Sequence, residues 1–439
     1  METPTVSPQK RREILEALRR GTVPRRGLEE LAVGLSRFEK AVDEMLEHVA
    51  GGNGAFKAIR GDYGCGKTFF SRWLQERAKH HNFAAAEVQI SETETPLHRL
   101  ETVYRRLIER LSLSGTQEGA FREIIDSWFY SLEEDVIAAG AKSESAVLEE
   151  TEKLMEKRLG EVARTAPAFS AVLRAYRRAV AENDVETAEG LIAWLGGQPN
   201  VSAKVKRIAG IKGEIDHKSA LTFLQGLLTV LRDSGNTGLV LVLDEVETLQ
   251  RVRSDVREKS LNALRQFIDE LDSGRFPGLI LIITGTPIFF DGPQGIKKLQ
   301  PLAQRLATEF QTDSRFDNPR APQIRLMPFQ HDALAEVGRK VRNIFVSGLE
   351  DGDRVGTTVN DSVISALATG IAGRLGGEVG LAPRIFLKKL VAELLDVAEL
   401  HEEFDPRVHY KPVIAGEELN DAERAAVGSV SPDEIKLDL

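Results

Sequence analysis

Eight consecutive residues of this chain have the types and spacing of a phosphate-binding loop. In such a loop, backbone N–H groups surround a phosphate, the lysine reaches the β- and γ-phosphates, and the threonine hydroxyl binds Mg²⁺. Glycines let the backbone approach the phosphate without a Cβ in the way. The pattern therefore predicts binding of ATP or a close relative. The expected contacts are Gly61, Asp62, Tyr63, Gly64, Cys65, Gly66, Lys67 and Thr68, followed by Phe69.

Two adjacent carboxylates supply the second half of the expected site. Asp244 and Glu245 follow an unbroken apolar run over 239–243, which is typical of a parallel strand covered on both faces. An open α/β sheet binds its ligands at the carboxyl ends of its strands. Asp244 is expected to hold Mg²⁺ through its water shell, and Glu245 to polarise the attacking water as general base. The two motifs together predict ATP hydrolysis.

The elements that must position these motifs alternate between strand and helix patterns. A helix pattern over 37–49 precedes the loop, and another over 69–79 follows it. This alternation predicts an α/β fold with a doubly wound, mainly parallel sheet of five strands. The strand patterns cover 55–60, 84–90, 239–244, 279–284 and the weaker 324–327.

The chain between the second and third strand patterns is far longer than a single crossover requires. Helix patterns fill it over 96–111, 121–140, 145–162, 167–182, 184–195 and 217–232. We interpret 112–216 as a helical insertion into a nucleotide-binding domain. The expected organisation is a basic N-terminal helix over 1–27, the nucleotide-binding domain over 28–111 and 217–329, a helical lid domain over 330–400, and an acidic tail over 401–439.

Composition limits the classes of partner. The net charge is −9, with 42% hydrophobic and 28% charged residues, so a nucleic-acid contact requires a local basic patch. A basic cluster at Lys204, Lys206, Arg207, Lys212 and Lys218 favours a solvated loop, with DNA or partner binding as the alternative. There is no apolar run near the roughly 20 residues of a membrane span, no secretion-signal core, and one cysteine. These features predict a cytoplasmic protein.

The motifs together resemble those of the AAA+ ATPases over residues 28–400, apart from the insertion. The stretch 27–34 is similar to the segment that packs on adenine in the origin-recognition-like branch, which implies that Val33 and Gly34 contact the nucleotide. Four stretches more closely resemble the ATP-binding proteins of bacteriophage exclusion (BREX) systems, and the length is similar to that of shorter family members. These stretches are TVPRRGL at 22–28, RGDYGCGKT at 60–68, LDEVE at 243–247 and TGTP at 284–287.

The resemblance also implies roles for three further residues. Thr284 would orient the attacking water, although a threonine in a strand-end turn is the alternative. Arg305 matches a finger that reaches the γ-phosphate of a neighbouring subunit, with an exposed helix arginine as the alternative and Arg315 and Arg320 as competitors. Arg384 matches a lid arginine that senses the γ-phosphate; its alternative is a solvated arginine at a helix start. Copies of the same chain and other phage-defence proteins are the implied partners.

Three functions remain open at this point. The first is an ATP-hydrolysing motor or switch that acts on or near DNA in phage defence. The second is a slowly hydrolysing, nucleotide-dependent scaffold that recruits proteins. The third is an origin-recognition-like DNA-loading ATPase. The negative net charge and the little room for a winged-helix domain after residue 400 count against this third function. Cys65 departs from the small residue common in such loops, and we expect it to fill space and to offer an alkylation handle.

Overall fold

A computed structural model describes residues 6–141, 143–374 and 383–414. Five parallel strands form one sheet in the order β2-β3-β4-β1-β5, which confirms the predicted α/β class and strand number. The fifth strand is shorter than predicted and begins one residue earlier. The strands are β1 Ala55–Arg60, β2 Phe83–Gln89, β3 Gly238–Asp244, β4 Leu279–Gly285 and β5 Gln323–Arg325.

The register of the sheet brings the chemical residues to one edge. Gln89 pairs with Asp244 across β2 and β3, and Ile59 pairs with Thr284 across β1 and β4. All the strands run in the same direction, so their carboxyl ends meet where β1 enters the phosphate loop. The loop, the Asp244 carboxylate and the Thr284 hydroxyl are thereby placed at a common edge.

Helices account for most of the remaining described chain. Those before β3 are Pro8–Arg19, Leu28–Leu31, Ser36–Ala50, Lys67–His80, Leu100–Arg110, Phe121–Ala138, Glu144–Leu159, Glu161–Thr165, Pro167–Ala181, Val185–Leu195, Ala203–Ile208 and His217–Asp233. Those after it are Ser254–Asp272, Pro287–Asp291, Gln300–Arg305, His331–Val346, Gly352–Thr358, Asp361–Arg374, Pro383–Lys389, Asp396–Leu400 and Pro406–His409. Three 3₁₀ turns (Val246–Gln250, Ile296–Lys298, Ser314–Phe316) and a π-helical segment (Leu390–Leu395) complete them. Across the described ranges, each helix is too short or too polar to cross a bilayer.

Apolar side chains cover both faces of the sheet. On one face, Val240 and Ile282 pack with the helices Ser36–Ala50 and Lys67–His80. On the other, Leu241 joins a larger core that runs through the helix His217–Asp233 into the helices of 112–216. This explains the uninterrupted apolar strands. It also means that the predicted insertion shares a continuous core with the sheet.

The N-terminal helix Pro8–Arg19 packs against the C-terminal helices. Ile14, Leu15 and Leu18 are buried in the same core as the helix His331–Val346. Arg19 adds two hydrogen bonds to the Asp396 carboxylate, at 2.8 and 2.7 Å. The basic helix predicted over 1–27 thus spans Pro8–Arg19 and buries its apolar side chains in this contact. Of the expected acidic tail, residues 415–439 lie outside the described chain.

Candidate nucleotide-binding site

The phosphate loop joins β1 to the helix Lys67–His80, and its glycines are required for two different reasons. Gly64 and Gly66 have φ angles of +80° and +91°, a left-handed conformation that residues with a Cβ rarely adopt. Gly61 has no room for a side chain, because a Cβ there would lie 2.3 Å from Cys65 Sγ. The loop can therefore take this tight path only with glycine at these positions.

Lys67 is buried and its ammonium is held by the loop itself. Its Nζ donates hydrogen bonds to the carbonyl oxygens of Gly61 at 2.8 Å and Asp62 at 3.1 Å. The ring centroid of Tyr63 lies 5.1 Å from the same nitrogen, within the range of a cation–π contact. A positive charge is thus concentrated inside the loop, where a phosphate would need it.

Three oxygen-bearing side chains meet at the end of β3. The Thr68 hydroxyl lies 3.3 Å from one carboxylate oxygen of Asp244. The Thr284 hydroxyl, which is fully buried, donates a hydrogen bond to the other oxygen. Burial raises the pKa of Asp244, and the hydrogen bond from Thr284 opposes that rise. The carboxylate is therefore fixed in position at a considerable desolvation cost.

Glu245 stands beside Asp244 in a strained backbone conformation. Its φ angle is 59°, which is unusual for a residue other than glycine and is often associated with functional sites. Its amide donates to the Thr284 hydroxyl at 3.1 Å and to Asp244 Oδ1 at 3.2 Å. Its carboxylate accepts a hydrogen bond from Gln89 Nε2 at 2.9 Å. The surrounding strands thus determine where this carboxylate lies.

The oxygen atoms of Thr68 and Asp244 suit Mg²⁺. This hard cation binds through one or two protein oxygens and keeps several of its waters, and here a hydroxyl and a buried carboxylate oxygen lie 3.3 Å apart. When bound, the ion would neutralise negative charge on the phosphates. The two residues named from the sequence as metal ligands are therefore brought together beside the loop.

A cleft of about 620 Å³ opens next to the loop, between the sheet and the C-terminal helices. Val33 and Gly34 contribute to one wall, Phe69 lies at the start of the loop helix, and Arg384 lines the cleft from the helix Pro383–Lys389. Leu381 and Ala382, which precede this helix in the sequence, lie outside the described residues. The size of the cleft is within the roughly 300–1,000 Å³ of small-molecule sites.

The finger candidates lie away from this cleft. Arg305 ends the helix Gln300–Arg305, is 36% exposed and forms an ion pair with Asp269. Arg315 pairs with Asp313 on the surface. The structure therefore does not place Arg305 in the lining of the nucleotide cleft of its own chain.

The second competitor, Arg320, has a bidentate ion pair with Glu44, with both distances at 2.6 Å. The basic cluster predicted near residue 204 is also peripheral. Lys204 and Arg207 are exposed, and Lys204 lies 3.7 Å from Glu186. None of these contacts reaches the nucleotide cleft.

Two residues of the site were not recognised in the sequence. Gln89 contacts Glu245 because β2 and β3 pair in register, and the ends of the two predicted strands could have suggested this pairing.

Glu247 lines the cleft and is only 5% exposed, yet both of its carboxylate oxygens have no hydrogen-bond partner among the described residues. Burial raises its pKa, and Lys67 opposes the rise. In the sequence, the position of Glu247 three residues after Asp244 was the feature that could have indicated a place in the site.

The structure corrects one expectation about Cys65. The side chain fills space as predicted, but it packs under Gly61 and is only 5% exposed. Burial raises the pKa of its thiol to about 11, so little thiolate exists near neutral pH. Cys65 is therefore a poor alkylation handle in the folded protein.

Comparison with known families agrees with this geometry. A family described as the BREX system ATP-binding protein BrxC/D matches residues 6–413, a span that includes the loop, both carboxylates and the helices around the cleft. No curated protein matches the chain. On the extent of the family match, this chain belongs to the family of BREX system ATP-binding proteins BrxC/D.

Proposed function

We propose that this protein is a Mg²⁺-dependent AAA+ ATPase of a BREX phage-defence system, and that its ATP turnover drives a motor or switch on or near DNA. Family membership supports ATP as the ligand and a role in BREX defence. The observation that carries the hydrolytic part is the contact network of Asp244, Glu245 and Thr284 beside the phosphate loop. A site that only bound ATP would not require a strained carboxylate at this point.

Each side chain has a distinct task in the proposed reaction. Lys67 stabilises negative charge on the β- and γ-phosphates. The carboxylate of Glu245 accepts a proton from the attacking water, and Thr284 fixes the backbone from which that carboxylate projects. Thr68 and Asp244 would hold the magnesium ion. Arg384, in the lining of the cleft, senses the γ-phosphate from the helical region proposed as the lid.

The proposal includes assembly of several copies. Arg305 is exposed and does not line the nucleotide cleft of its own chain, which supports a role in the site of a neighbour. A guanidinium supplied in this way stabilises charge that develops on the transferred phosphoryl group. Hydrolysis would then depend on contact between subunits, and DNA or other BREX proteins could control it by changing that contact.

The direct test is the ATPase rate of wild type and Glu245→Gln, each with and without duplex DNA. We expect turnover to fall about 100-fold or more in the variant, because a general base contributes roughly 10²–10⁴-fold, while ATP binding is retained. Glu258→Gln is the matched control, since Glu258 is exposed on the helix Ser254–Asp272. Equal rates in wild type and Glu245→Gln would refute the proposed general base.

The same experiment separates the motor or switch from the scaffold. Turnover that rises several-fold on addition of DNA supports the motor or switch. Slow turnover that DNA does not change, combined with ATP-dependent capture of another BREX protein, would instead establish a nucleotide-controlled scaffold. If the protein binds DNA at low salt without ATP turnover, a DNA-loading role is favoured. Loss of this DNA binding with rising salt would indicate contacts with the DNA phosphates.

A further inference from the structure

A second cleft, of about 670 Å³, lies beside the edge strand β2. It is bounded by the helix Lys67–His80, the residues 112–118 and the N-terminal segment that contains Arg25 and Arg26. We call it the basic cleft, because seven Lys/Arg residues and four glutamates line it. The lining alone has an excess of three positive charges, but Lys10 binds Glu30 at 2.6 Å and Arg106 binds Glu109 at 2.9 Å, two carboxylates outside the lining. The remaining positive charge is concentrated on Arg25, Arg26, Lys79 and Arg110. The basic cleft shares no lining residue with the nucleotide cleft, although Gln89, which donates to Glu245, belongs to its lining.

Contacts inside the protein already occupy two of the four carboxylates. Arg72 binds Glu87 through two hydrogen bonds, at 3.0 and 2.8 Å. Glu76 accepts the backbone N–H groups of Gly27 and Leu28, both at 2.7 Å. Arg72 therefore neutralises Glu87, and Arg106 pairs with the fourth carboxylate, Glu94, at 3.0 Å. Glu76 keeps its charge, which favours the charged form of Lys79.

A third carboxylate is shared between two arginines. Glu118 accepts a hydrogen bond from Arg110 at 2.7 Å and pairs as well with Arg25. One negative charge thus serves two guanidinium groups, which leaves the pair with an excess of positive charge. Arg26 and Lys79 stand beside them in the lining of the same cleft.

The surroundings of Lys79 disfavour its charged form. Among the described residues, no carboxylate oxygen lies within the 4.0 Å of an ion pair from its ammonium. Burial lowers the pKa of Lys79 to about 8; the nearby Arg26 and Arg25 add to this shift, and Glu76 and Glu118 oppose it. The positive form of Lys79 is thus destabilised by its surroundings. An anion in the basic cleft would remove this cost.

We propose that the basic cleft binds a small anion that carries several phosphate groups. Guanidinium groups match the oxygens of phosphate in a bidentate manner, and a lysine adds a point charge. The volume is within the roughly 300–1,000 Å³ of small-ligand sites, which favours a compact ligand over the backbone of a long nucleic acid. This is a site separate from the one that hydrolyses ATP, and it does not depend on the proposed hydrolysis.

Inorganic tripolyphosphate is a suitable probe, measured by calorimetry on Lys67→Ala protein so that the phosphate loop does not contribute. We expect binding in this background and at least tenfold weaker binding when Arg26→Gln and Lys79→Gln are added. Lys204→Gln with Arg207→Gln is the matched control, because it removes two exposed charges elsewhere and should leave the affinity unchanged. Thermal unfolding of each variant verifies that the fold is intact.

A chemical measurement on protein with an unaltered basic cleft provides a second readout. An amine with a pKa near 8 reacts with an acetylating reagent at neutral pH faster than ordinary lysines, whose pKa is about 10.4. Lys79 should therefore be acetylated early, and tripolyphosphate should protect it by at least several-fold. Mass spectrometry of peptides reports both effects. Failure of tripolyphosphate to protect Lys79 would count against the site.

Two further outcomes would overturn the proposal. One is tripolyphosphate binding that persists unchanged after Arg26→Gln and Lys79→Gln. The other is binding of single-stranded DNA that these substitutions abolish, in a protein that does not bind tripolyphosphate. The second result would identify the basic cleft as part of a nucleic-acid surface.

Discussion

The hydroxyl of Thr284 connects the two carboxylate residues at the end of β3. It donates a hydrogen bond to Asp244 and accepts the backbone N–H of Glu245 at 3.1 Å. Because the amide of Glu245 also contacts Asp244 Oδ1 at 3.2 Å, the three residues form a closed network. Thr284 on β4 thus controls the geometry of the carboxylate residues at the end of β3.

Thr284→Val should therefore impair catalysis more than binding. The substitution keeps the shape of the side chain and removes its hydroxyl, so the Glu245 amide loses an acceptor and Asp244 loses a donor. We expect the ATPase kcat to fall about 100-fold, as positioning errors near 1 Å commonly cost, while the Kd for ATP changes little. Steady-state kinetics and nucleotide titration measure the two quantities.

Thr229→Val is the control for this substitution. Thr229 is half-buried on the helix His217–Asp233, and its hydroxyl donates to the Gln225 carbonyl of that helix at 3.0 Å. Its removal should leave kcat unchanged. Similar losses in both variants would indicate a general effect of threonine removal and would contradict the proposed network.

The parts of the site that were predicted correctly are those whose residues lie close together in the sequence. The glycines, Lys67 and Thr68 lie within one loop, and Asp244 and Glu245 follow a strand whose apolar run is visible without any tertiary information. Parallel strands covered on both faces require such runs, so the five-stranded sheet was predictable as well. The first and last residues of the short strand β5 were harder to predict, because only Gln323–Arg325 pair with β1.

The parts that were missed depend on pairing between distant segments. Gln89 acts on Glu245 only through the register of β2 and β3. Within β1, Lys57 interrupts the apolar pattern, yet it is buried and donates to the carbonyl oxygens of 319–321. Whether a charged residue in a strand is exposed or satisfied internally depends on loops that propensity cannot locate.

Arg305 allows a test of shared active sites with a close control. Arg305 and Arg265 both form ion pairs with Asp269, so either substitution removes one partner of the same carboxylate. We expect Arg305→Ala to lower ATPase activity about 1,000-fold, the lower range for loss of an arginine finger, and Arg265→Ala to have little effect. The specific activity of wild type should also rise with protein concentration.

Mixing inactive variants makes this prediction more stringent. Lys67→Ala and Arg305→Ala damage opposite sides of a shared site, so a mixed assembly contains some sites with both residues intact. Partial activity should therefore return when the two proteins are combined. Activity that is independent of concentration, of Arg305 and of mixing would indicate a monomeric nucleotide switch.

Glu247 should make the stability of the protein depend on pH in the absence of nucleotide and Mg²⁺. Burial raises its folded-state pKa above the unfolded value of about 4.3. Its ionised form is therefore disfavoured in the folded protein, a cost that is complete above the folded pKa and absent below the unfolded one. Glu247→Gln should raise the free energy of unfolding by about 1 kcal/mol at pH 8, and by less at pH 5.

Chemical unfolding at the two pH values measures this difference. Glu258→Gln, at an exposed position, should show no comparable gain at either pH. A Glu247→Gln protein that is less stable than wild type at pH 8 would mean that the ionised carboxylate is favourably bound in the folded chain, and would contradict this explanation.

Cys65 should react slowly with iodoacetamide as long as the protein is folded. With its pKa raised to about 11 by burial, roughly 0.1% of the thiol is ionised at pH 8, against about 20–25% for an unperturbed cysteine. Alkylation should thus be about 100-fold slower than in guanidinium-unfolded protein, and its rate should rise about tenfold per pH unit between pH 7 and 9. Fast alkylation of the folded protein that ATP prevents would instead show that the thiol faces the nucleotide, since the Gly61 contact would then have to open.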